Sequence, residues 1–307
     1  MKKIISVLLS LIILLLSLTV VAAAETGYLY SSDIITQKSD FHLIAHRGVN
    51  SLAPENSLSA INLAGKYNYW GCEFDIQSTS DGKWVLMHDL TIDRMTNGSG
   101  FVSGMTYSTL SKYKIDTGSN IEKYADEKIP ELSEALDVCK KYGMKPVIEI
   151  KSGTTAQIKS LCALLNARKE KSGFIIASLM PDALKTVREN MPKAKIWLIV
   201  LDVTDYSISL CQKYNFEAIN TQTILTSSND IIKLQAAGII PAVWTSDSVK
   251  EMEKLYAMGV KYVETNDVLP LASADAQEII DSDSIIRKIV LLVEKIINMI
   301  LSLFSIN

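Results

Sequence analysis

Short apolar runs and amphipathic stretches alternate along the second half of the chain. Apolar runs of strand length predict β-strands at residues 147–150, 174–179, 196–201, 218–220, 240–244 and 262–265. Helical spacing of apolar residues predicts helices between them at 156–169, 181–190, 207–214, 229–237 and 248–258. Continuous apolar strands that alternate with helices are typical of a parallel sheet covered by helices.

Two earlier strands bring the count to eight. Residues 41–45 and 71–77 are apolar and β-prone, and the helix between them starts at Asn56 or Ser57 and ends near Tyr67. A further helix is predicted over residues 131–142. Eight such units predict a TIM (β/α)8 barrel over residues 41–271. An open doubly wound sheet is the alternative, disfavoured because no Gly-x-Gly-x-x-Gly motif follows the first strand.

Residues 89–130 interrupt the alternation and have little periodicity. They predict an inserted segment of loops and short helices over one face of the barrel. Because long loops in compact domains are usually functional or disordered, we expect this insertion to influence the choice of substrate.

The strand at 71–77 carries two carboxylates, Glu73 and Asp75, two residues apart. Side chains at i and i+2 of a strand point to the same side. Adjacent like charges are unfavourable unless a cation lies between them, and oxygen pairs of this kind suit Mg²⁺ or Ca²⁺. A turn ending in Asp81-Gly82 then predicts an antiparallel hairpin that returns His88 to about the level of Asp75.

Other polar residues fall at predicted strand ends, where barrel enzymes place their active residues. They are His46 and Arg47 after the first strand and Glu149 and Lys151 on the strand at 147–150. Glu149 would add a third oxygen ligand to those of Glu73 and Asp75. Arg47 and Lys151 predict an anion site, most naturally for a phosphate, and His46 and His88 can transfer protons near neutral pH.

Structural roles are the alternative for each of these residues taken singly. A lone carboxylate in a strand is commonly an ion-pair partner, and a lone histidine at a strand end commonly packs or faces solvent. Two of the three histidines lie near the carboxylates, which favours the functional interpretation. His42 lacks such neighbours and is expected to be structural. Trp244 is most simply a packing residue, with a substrate wall as the alternative.

Residues 1–24 predict a secretory signal peptide. A basic start precedes an apolar run over residues 4–21, and Ala22-Ala23-Ala24 resembles a cleavage site before Glu25. We therefore expect a secreted or cell-surface protein. An uncleaved membrane anchor is the alternative, because the apolar run approaches spanning length.

Residues 285–307 predict an amphipathic C-terminal helix after a polar, acidic linker at 267–284. Charged and polar residues recur at three- and four-residue intervals through residues 285–304, and the remaining positions are apolar. Contact with a membrane surface through residues 285–304, pairing with another chain and docking on the barrel all stay open.

The amino-acid composition limits the classes of molecule that the protein is expected to bind. The chain of 307 residues has 31 Lys and Arg against 34 Asp and Glu, which argues against a nucleic-acid-binding protein. Four cysteines lie among apolar neighbours in predicted strands or helices, and we interpret them as small buried residues. They are Cys72, Cys139, Cys162 and Cys211. These patterns leave the oligomeric state open.

Several blocks together resemble the glycerophosphodiester phosphodiesterase family, in family order and at family-like spacing. The blocks are His46-Arg47-Gly48, Pro54-Glu55-Asn56-Ser57, Glu73-Phe74-Asp75, His88-Asp89-Leu90-Thr91-Ile92-Asp93-Arg94-Met95-Thr96-Asn97-Gly98, Glu149-Ile150-Lys151, Val243-Trp244-Thr245, and the segment from Gly259 to Asp267. The similarity covers residues 41–271. Small departures at Leu179, Met95 and Ser57 concern the substrate wall more than the chemistry.

This resemblance implies a TIM barrel with an insertion after the second βα region. It implies His46 and His88 as acid/base residues and Glu73, Asp75 and Glu149 as ligands of one divalent cation, Ca²⁺ or Mg²⁺. Arg47 and Lys151 would hold the phosphate. The expected reaction is hydrolysis of a glycerophosphodiester to sn-glycerol 3-phosphate and an alcohol. The alternatives are a lysophospholipase D-like activity on membrane lipid and a non-catalytic binder of phosphodiesters or wall polymers.

Overall fold

The computed structural model of the chain describes residues 39–168 and 173–270. Nine strands form one sheet within these residues, and most are buried along their length because their residues are almost all apolar. The strands are β1 (His42–Ala45), β2 (Gly71–Ser78), β3 (Trp84–Leu86), β4 (Lys145–Ile150), β5 (Ile175–Ser178), β6 (Lys195–Val200), β7 (Ala218–Gln222), β8 (Ile240–Trp244) and β9 (Tyr262–Thr265).

Eight of these strands are parallel and close into a barrel. Around it the strands follow the order β1, β2, β4, β5, β6, β7, β8 and β9, and β9 pairs with β1 again. In that closing pair Ile44 lies opposite Glu264, while the other edge of β1 aligns Ile44 with Gly71. The predicted TIM barrel is confirmed, and the open sheet is wrong because both edges of β1 are paired.

Helices cover the outside of the barrel and follow the strands as the apolar spacing predicts. Ser57 caps the first helix, since its Oγ accepts the backbone N–H of Ala60. Pro181 begins another helix, where its missing N–H is not needed. The helices are α1 (Leu58–Lys66), α2 (Tyr107–Leu110), α3 (Leu132–Tyr142), α4 (Thr155–Arg168), α5 (Pro181–Asn190), α6 (Asp205–Tyr214), α7 (Ser228–Ala236) and α8 (Val249–Ala257).

The barrel interior is filled by aliphatic and aromatic side chains, including Ile44, Val147 and Trp197. At the amino end of β1, His42 stacks on Trp70, with ring centroids 4.5 Å apart, and its centroid lies 4.6 Å from that of Tyr262. His42 therefore has packing partners at the end of the barrel opposite His46.

The hairpin of β2 and β3 leads into the insertion. β3 runs antiparallel to β2, with Ile76 opposite Leu86, and Met87 donates its N–H to the carbonyl of Asp75 at 3.0 Å. His88 thus returns to the level of Asp75, as predicted. Residues 89–130 contain α2 and the 3₁₀ turns Val102–Gly104 and Ile121–Lys123. Their apolar side chains form a separate cluster together with Val85 and Met87.

The predicted signal peptide at residues 1–24 and the predicted amphipathic helix at 285–307 lie outside the described residues. Among the residues that are described, no helix is long and apolar enough to cross a bilayer. All four cysteine side chains are buried and carry free thiols, which agrees with the interpretation as small core residues.

Candidate active site

The turn after β1 places His46 and Arg47 at the carboxyl end of the barrel. Arg47 and Gly48 adopt left-handed backbone conformations, with φ of 57° and 78°. A Cβ at Gly48 would lie 2.6 Å from Cβ of Ala60, so the close approach of the turn to α1 requires glycine. The turn directs the backbone N–H of Arg47 to Oε2 of Glu73 at 2.8 Å.

Three carboxylates from two adjacent strands converge beside this turn. Glu73 and Asp75 lie on one side of β2, and the strand register places Asp75 opposite Glu149 of β4. One oxygen from each residue lies within 4.8 Å of the other two. The structure therefore brings together the three residues predicted as metal ligands.

Two cationic side chains flank Asp75. Nε of Arg47 lies 3.3 Å from its Oδ2, and Nζ of Lys151 lies 3.6 Å from its Oδ1 and 2.8 Å from Oε1 of Glu149. Both cations keep part of their surface open to the mouth of the barrel. Arg47 and Lys151 could therefore contact an anion placed over the carboxylates.

The carboxylates have divergent pKa values because their surroundings differ. Burial, together with the negative charge of Asp75, raises the pKa of Glu73 well above its usual range and that of Glu149 to about 7. Burial also acts to raise the pKa of Asp75, but Arg47 and Lys151 outweigh it and lower that pKa. The ionised forms of Glu73 and Glu149 are thus disfavoured without a cation, and a bound cation would favour them.

The donor set fits a hard divalent cation. Oε1 of Glu73 is buried and has no hydrogen-bond partner among the described residues. Ca²⁺ binds carboxylate oxygens at about 2.3–2.6 Å, so oxygens on opposite sides of one ion lie about 5 Å apart. The spacing of the oxygens of Glu73, Asp75 and Glu149 satisfies this limit.

His46 is oriented by a chain of hydrogen bonds. Nδ1 of His46 lies 2.8 Å from Oδ1 of Asn266, and Nδ2 of Asn266 donates to Oδ2 of Asp247 at 2.9 Å. Because Nδ2 of Asn266 donates to Asp247, Oδ1 of Asn266 faces His46. Nδ1 of His46 is therefore assigned as the donor. Burial, and then the charge of Arg47, lower the pKa of His46 to about 4. Its Nε2 is therefore available as a proton acceptor at neutral pH.

His88 belongs to a polar network that reaches the first turn. Its Nδ1 donates to Oδ1 of Asp89 at 2.7 Å, and Nε of Arg94 donates to Oδ2 of Asp89 at 2.6 Å. Arg94 also donates to Glu55 at 2.7 Å, and Glu55 accepts from Nη1 of Arg47 at 3.1 Å. These charged groups thus connect the support of His88 to Arg47, which follows His46 in the turn after β1.

Glu264 was missed by the sequence analysis. It is buried on β9, where it accepts a hydrogen bond from Nδ2 of Asn220 at 2.7 Å, and burial raises its pKa to about 8. Oxygens of Glu264 and Glu73 and a ring nitrogen of His46 all lie within 4.8 Å of one another. The available signal was a carboxylate within an apolar strand, which is the signal that identified Glu149.

The remaining predicted residue, Trp244, lies at the carboxyl end of β8. It is partly buried and packs against the barrel core, as the simpler interpretation expected. Beside His46 and Arg47, a cleft of about 310 Å³ opens toward residues 117–119 of the insertion. The insertion therefore reaches the edge of the candidate site.

Comparisons with known proteins identify the family. The family model of the glycerophosphoryl diester phosphodiesterase family matches residues 46–269. A glycerophosphodiester phosphodiesterase of Caldanaerobacter subterraneus is 32% identical over 237 residues, which cover 73% of this chain and 93% of that protein. A second one, from Bacillus subtilis, is 30% identical over 280 residues, or 84% and 92% of the two chains.

Solved structures share the fold. A phosphodiesterase from Oleispira antarctica, in complex with the product sn-glycerol-3-phosphate, has a TM-score of 0.68 at 24% identity, covering 78% of this chain and 96% of that one. A glycerophosphodiester phosphodiesterase from Agrobacterium tumefaciens has a TM-score of 0.63 at 21% identity, covering 74% and 96%. With the match over residues 46–269, the chain belongs to the glycerophosphoryl diester phosphodiesterase family of phosphoric diester hydrolases.

Proposed function

We propose that this protein hydrolyses glycerophosphodiesters to sn-glycerol 3-phosphate and an alcohol with the help of one divalent cation. The observation that carries the proposal is the convergence of Glu73, Asp75 and Glu149 beneath the cations Arg47 and Lys151. The named activity of the two bacterial relatives supports the same reaction.

Arg47 and Lys151 would hold the phosphate. Each already faces a carboxylate, and a planar guanidinium suits two phosphate oxygens at once. If Glu73, Asp75 and Glu149 held the cation, Arg47 and Lys151 could direct some of their N–H groups to the phosphate of the substrate. Their restricted exposure also keeps these contacts out of bulk water, where charge pairs are weak.

His46 would accept the proton of the nucleophile. Its Nδ1 is engaged by Asn266, and its lowered pKa keeps the ring neutral at pH 7. His88 would give a proton to the oxygen of the departing alcohol, through the ring nitrogen that Asp89 leaves free. One P–O bond forms to the nucleophile and one breaks to the alcohol, and the two histidines balance the protons.

Glu73, Asp75 and Glu149 would hold Ca²⁺ or Mg²⁺, which when bound would offset negative charge on the phosphate in the transition state. The unpartnered Oε1 of Glu73 supports this assignment over a purely structural ion-pair cluster. Asp75 would then be shared between the cation and the basic side chains.

The alternative of a non-catalytic binder is less well supported by the site. Binding a phosphodiester needs the charges of Arg47 and Lys151, but it does not need two histidines whose Nδ1 atoms are each held by a partner. We also propose that the protein is exported, on the basis of the residues 1–24 discussed above.

An assay of glycerophosphocholine hydrolysis, followed by release of sn-glycerol 3-phosphate, tests the proposal. We expect activity that EDTA abolishes and that added Ca²⁺ or Mg²⁺ restores. Full activity in EDTA would contradict the role of the cation. Binding of glycerophosphocholine without product release, at saturating cation, would favour the non-catalytic alternative.

A further inference from the structure

The insertion contacts residues 52–57, which lead from the turn after β1 into α1 and which we call the entry segment. Nδ2 of Asn120 donates to the carbonyl of Leu52 at 3.0 Å. Gly118 has a φ of 125° and lies against Pro54, where a Cβ on this glycine would be 2.8 Å from Cα of Pro54. The insertion thus holds the first half of the entry segment at two points.

Glu127, also in the insertion, caps the start of α1. Its Oε1 accepts the backbone N–H groups of Leu58 at 3.0 Å and of Ser59 at 3.3 Å, and its Oε2 accepts the Oγ–H of Ser59. The first N–H groups of a helix have no partner within the helix, and the side chain of Ser57 accepts that of Ala60. The first turn of α1 carries no acidic residue of its own, so Glu127 also supplies the negative charge that favours a helix start.

Asn56, in the entry segment, connects the start of α1 to the candidate cation site. Its backbone N–H donates to the carbonyl of Arg47 at 3.0 Å, and its side-chain amide forms hydrogen bonds with Asp75. Ser57, the next residue, is the N-cap of α1. A displacement of the start of α1 would therefore move the amide that contacts Asp75.

We propose that Glu127 is a positioning residue for the cation site, because it holds the start of α1 where Asn56 keeps Asp75 oriented toward the cation. This inference rests on the proposed function, which places one divalent cation among three carboxylates of the barrel. Glu127 acts through other residues, since its own hydrogen-bond partners are the first two residues of α1. The insertion thereby contributes to the affinity for the cation.

The alternative is that Glu127 only stabilises the fold. Its removal would then lower Tm and leave the Ca²⁺ affinity of the folded protein unchanged. If Glu127 instead acts through Asn56, removal of Asn56 takes away the contact on which the effect of Glu127 depends. The effects of the two changes on the free energy of Ca²⁺ binding would then be less than additive, whereas independent effects add.

Isothermal titration of the full chain with Ca²⁺ tests the inference. Glu127→Ala leaves two N–H groups of α1 without their acceptor, and we expect about tenfold weaker binding, at the lower end of the range for groups that support a metal ligand. Glu127→Gln should retain most of the affinity, because its amide oxygen can accept the same N–H groups. If Glu127→Ala does not give a folded protein, Glu127→Asp, whose carboxylate lies one methylene nearer its backbone, takes its place with a smaller loss expected.

The matched control is Glu122→Ala. Glu122 is an exposed carboxylate of the same insertion, and its side chain forms no hydrogen bond or ion pair within residues 39–168 and 173–270. This variant should bind Ca²⁺ as tightly as the parent protein. The double variant Asn56→Ala/Glu127→Ala should bind Ca²⁺ with the affinity of Asn56→Ala alone, because the two residues act in series.

Two results would overturn the inference. One is an unchanged Ca²⁺ affinity in folded Glu127→Ala, and the other is a further loss of the same size when Glu127→Ala is added to Asn56→Ala. Absence of Ca²⁺ and Mg²⁺ binding to the parent protein, or of glycerophosphocholine hydrolysis at saturating cation, would instead contradict the proposed function. The two failures are therefore distinguishable.

Discussion

Asn56 and Asp75 are joined by a pair of hydrogen bonds. Nδ2 of Asn56 donates to Oδ2 of Asp75 at 2.8 Å, and the backbone N–H of Asp75 donates to Oδ1 of Asn56 at 3.0 Å. Both residues are buried, and Asn56 holds a left-handed backbone with φ of 54°. The amide therefore fixes the orientation of the carboxylate that faces Arg47, Lys151 and the proposed cation.

Replacement of Asn56 should weaken cation binding. Groups that orient a metal ligand typically change affinity about 10–100-fold, and we expect a loss in this range for Asn56→Ala. Isothermal titration with Ca²⁺ measures it. Asn62→Ala is the matched control, since the Asn62 side chain donates to the carbonyl of Leu58 on the same helix. Unchanged affinity in Asn56→Ala would show that Asp75 does not depend on this amide.

The pKa of Glu149 predicts a pH-dependent effect of the cation on stability. Its folded pKa is raised from 4.5 to about 7, so over this interval the folded, cation-free protein binds more protons than the unfolded chain. The contribution of Glu149 to the free energy of unfolding therefore falls as the pH rises from 4.5 to 7. Glu264, with a pKa of about 8, acts in the same direction.

A cation binds the ionised carboxylates and should reverse this loss. Differential scanning calorimetry with and without Ca²⁺ should show a larger rise in Tm at pH 8 than at pH 5. Glu149→Gln removes a carboxylate that takes up a proton and is one proposed ligand of the cation. This variant should show a smaller Ca²⁺-dependent rise in Tm at pH 8. Equal shifts in Tm at the two pH values would contradict a site made of carboxylates with raised pKa values.

The lowered pKa of His46 can be observed directly. NMR titration of the cation-free protein should give a pKa of about 4 for His46, because burial and Arg47 disfavour the imidazolium. Arg47→Gln should move this pKa upward. His42 is the internal control, since Asp40, Lys261 and Lys195 are the charges that act on it, and Arg47→Gln should leave it unchanged. A pKa near 6.5 for His46 would contradict a neutral base held by burial.

Most of the fold could be predicted because each strand and helix carries its own apolar pattern. The predicted bounds of β8, β9 and α5 match the structure, and most others differ by one or two residues. The alternation of strands and helices predicted that the strands are parallel. The absence of a Gly-x-Gly-x-x-Gly motif after the first strand favoured a closed barrel over an open sheet. Which of Asn56 and Ser57 caps α1 stayed open, because either side chain suits that position and only the contact with Asp75 separates them.

The candidate site could be predicted only in part. Glu73, Asp75 and Glu149 were identifiable because carboxylates within apolar strands are unfavourable without a partner. Asn266 and Asp247 were missed because each is an ordinary loop residue by itself. Asn266 gains its role from contact with a histidine 220 residues away, and Asp247 gains its role from contact with Asn266. The linkage of Asp89, Arg94 and Glu55 likewise depends on how the insertion folds back on the first turn.

Release of sn-glycerol 3-phosphate from glycerophosphocholine by single histidine variants tests the central claim most directly. At saturating Ca²⁺, His46→Ala and His88→Ala should each lower kcat by about 10²–10⁴-fold with an unchanged circular dichroism spectrum, because each removes a proton-transfer group. His42→Ala, which alters only the aromatic cluster at the other end of the barrel, should retain activity. Undiminished turnover in His46→Ala or in His88→Ala would contradict the account.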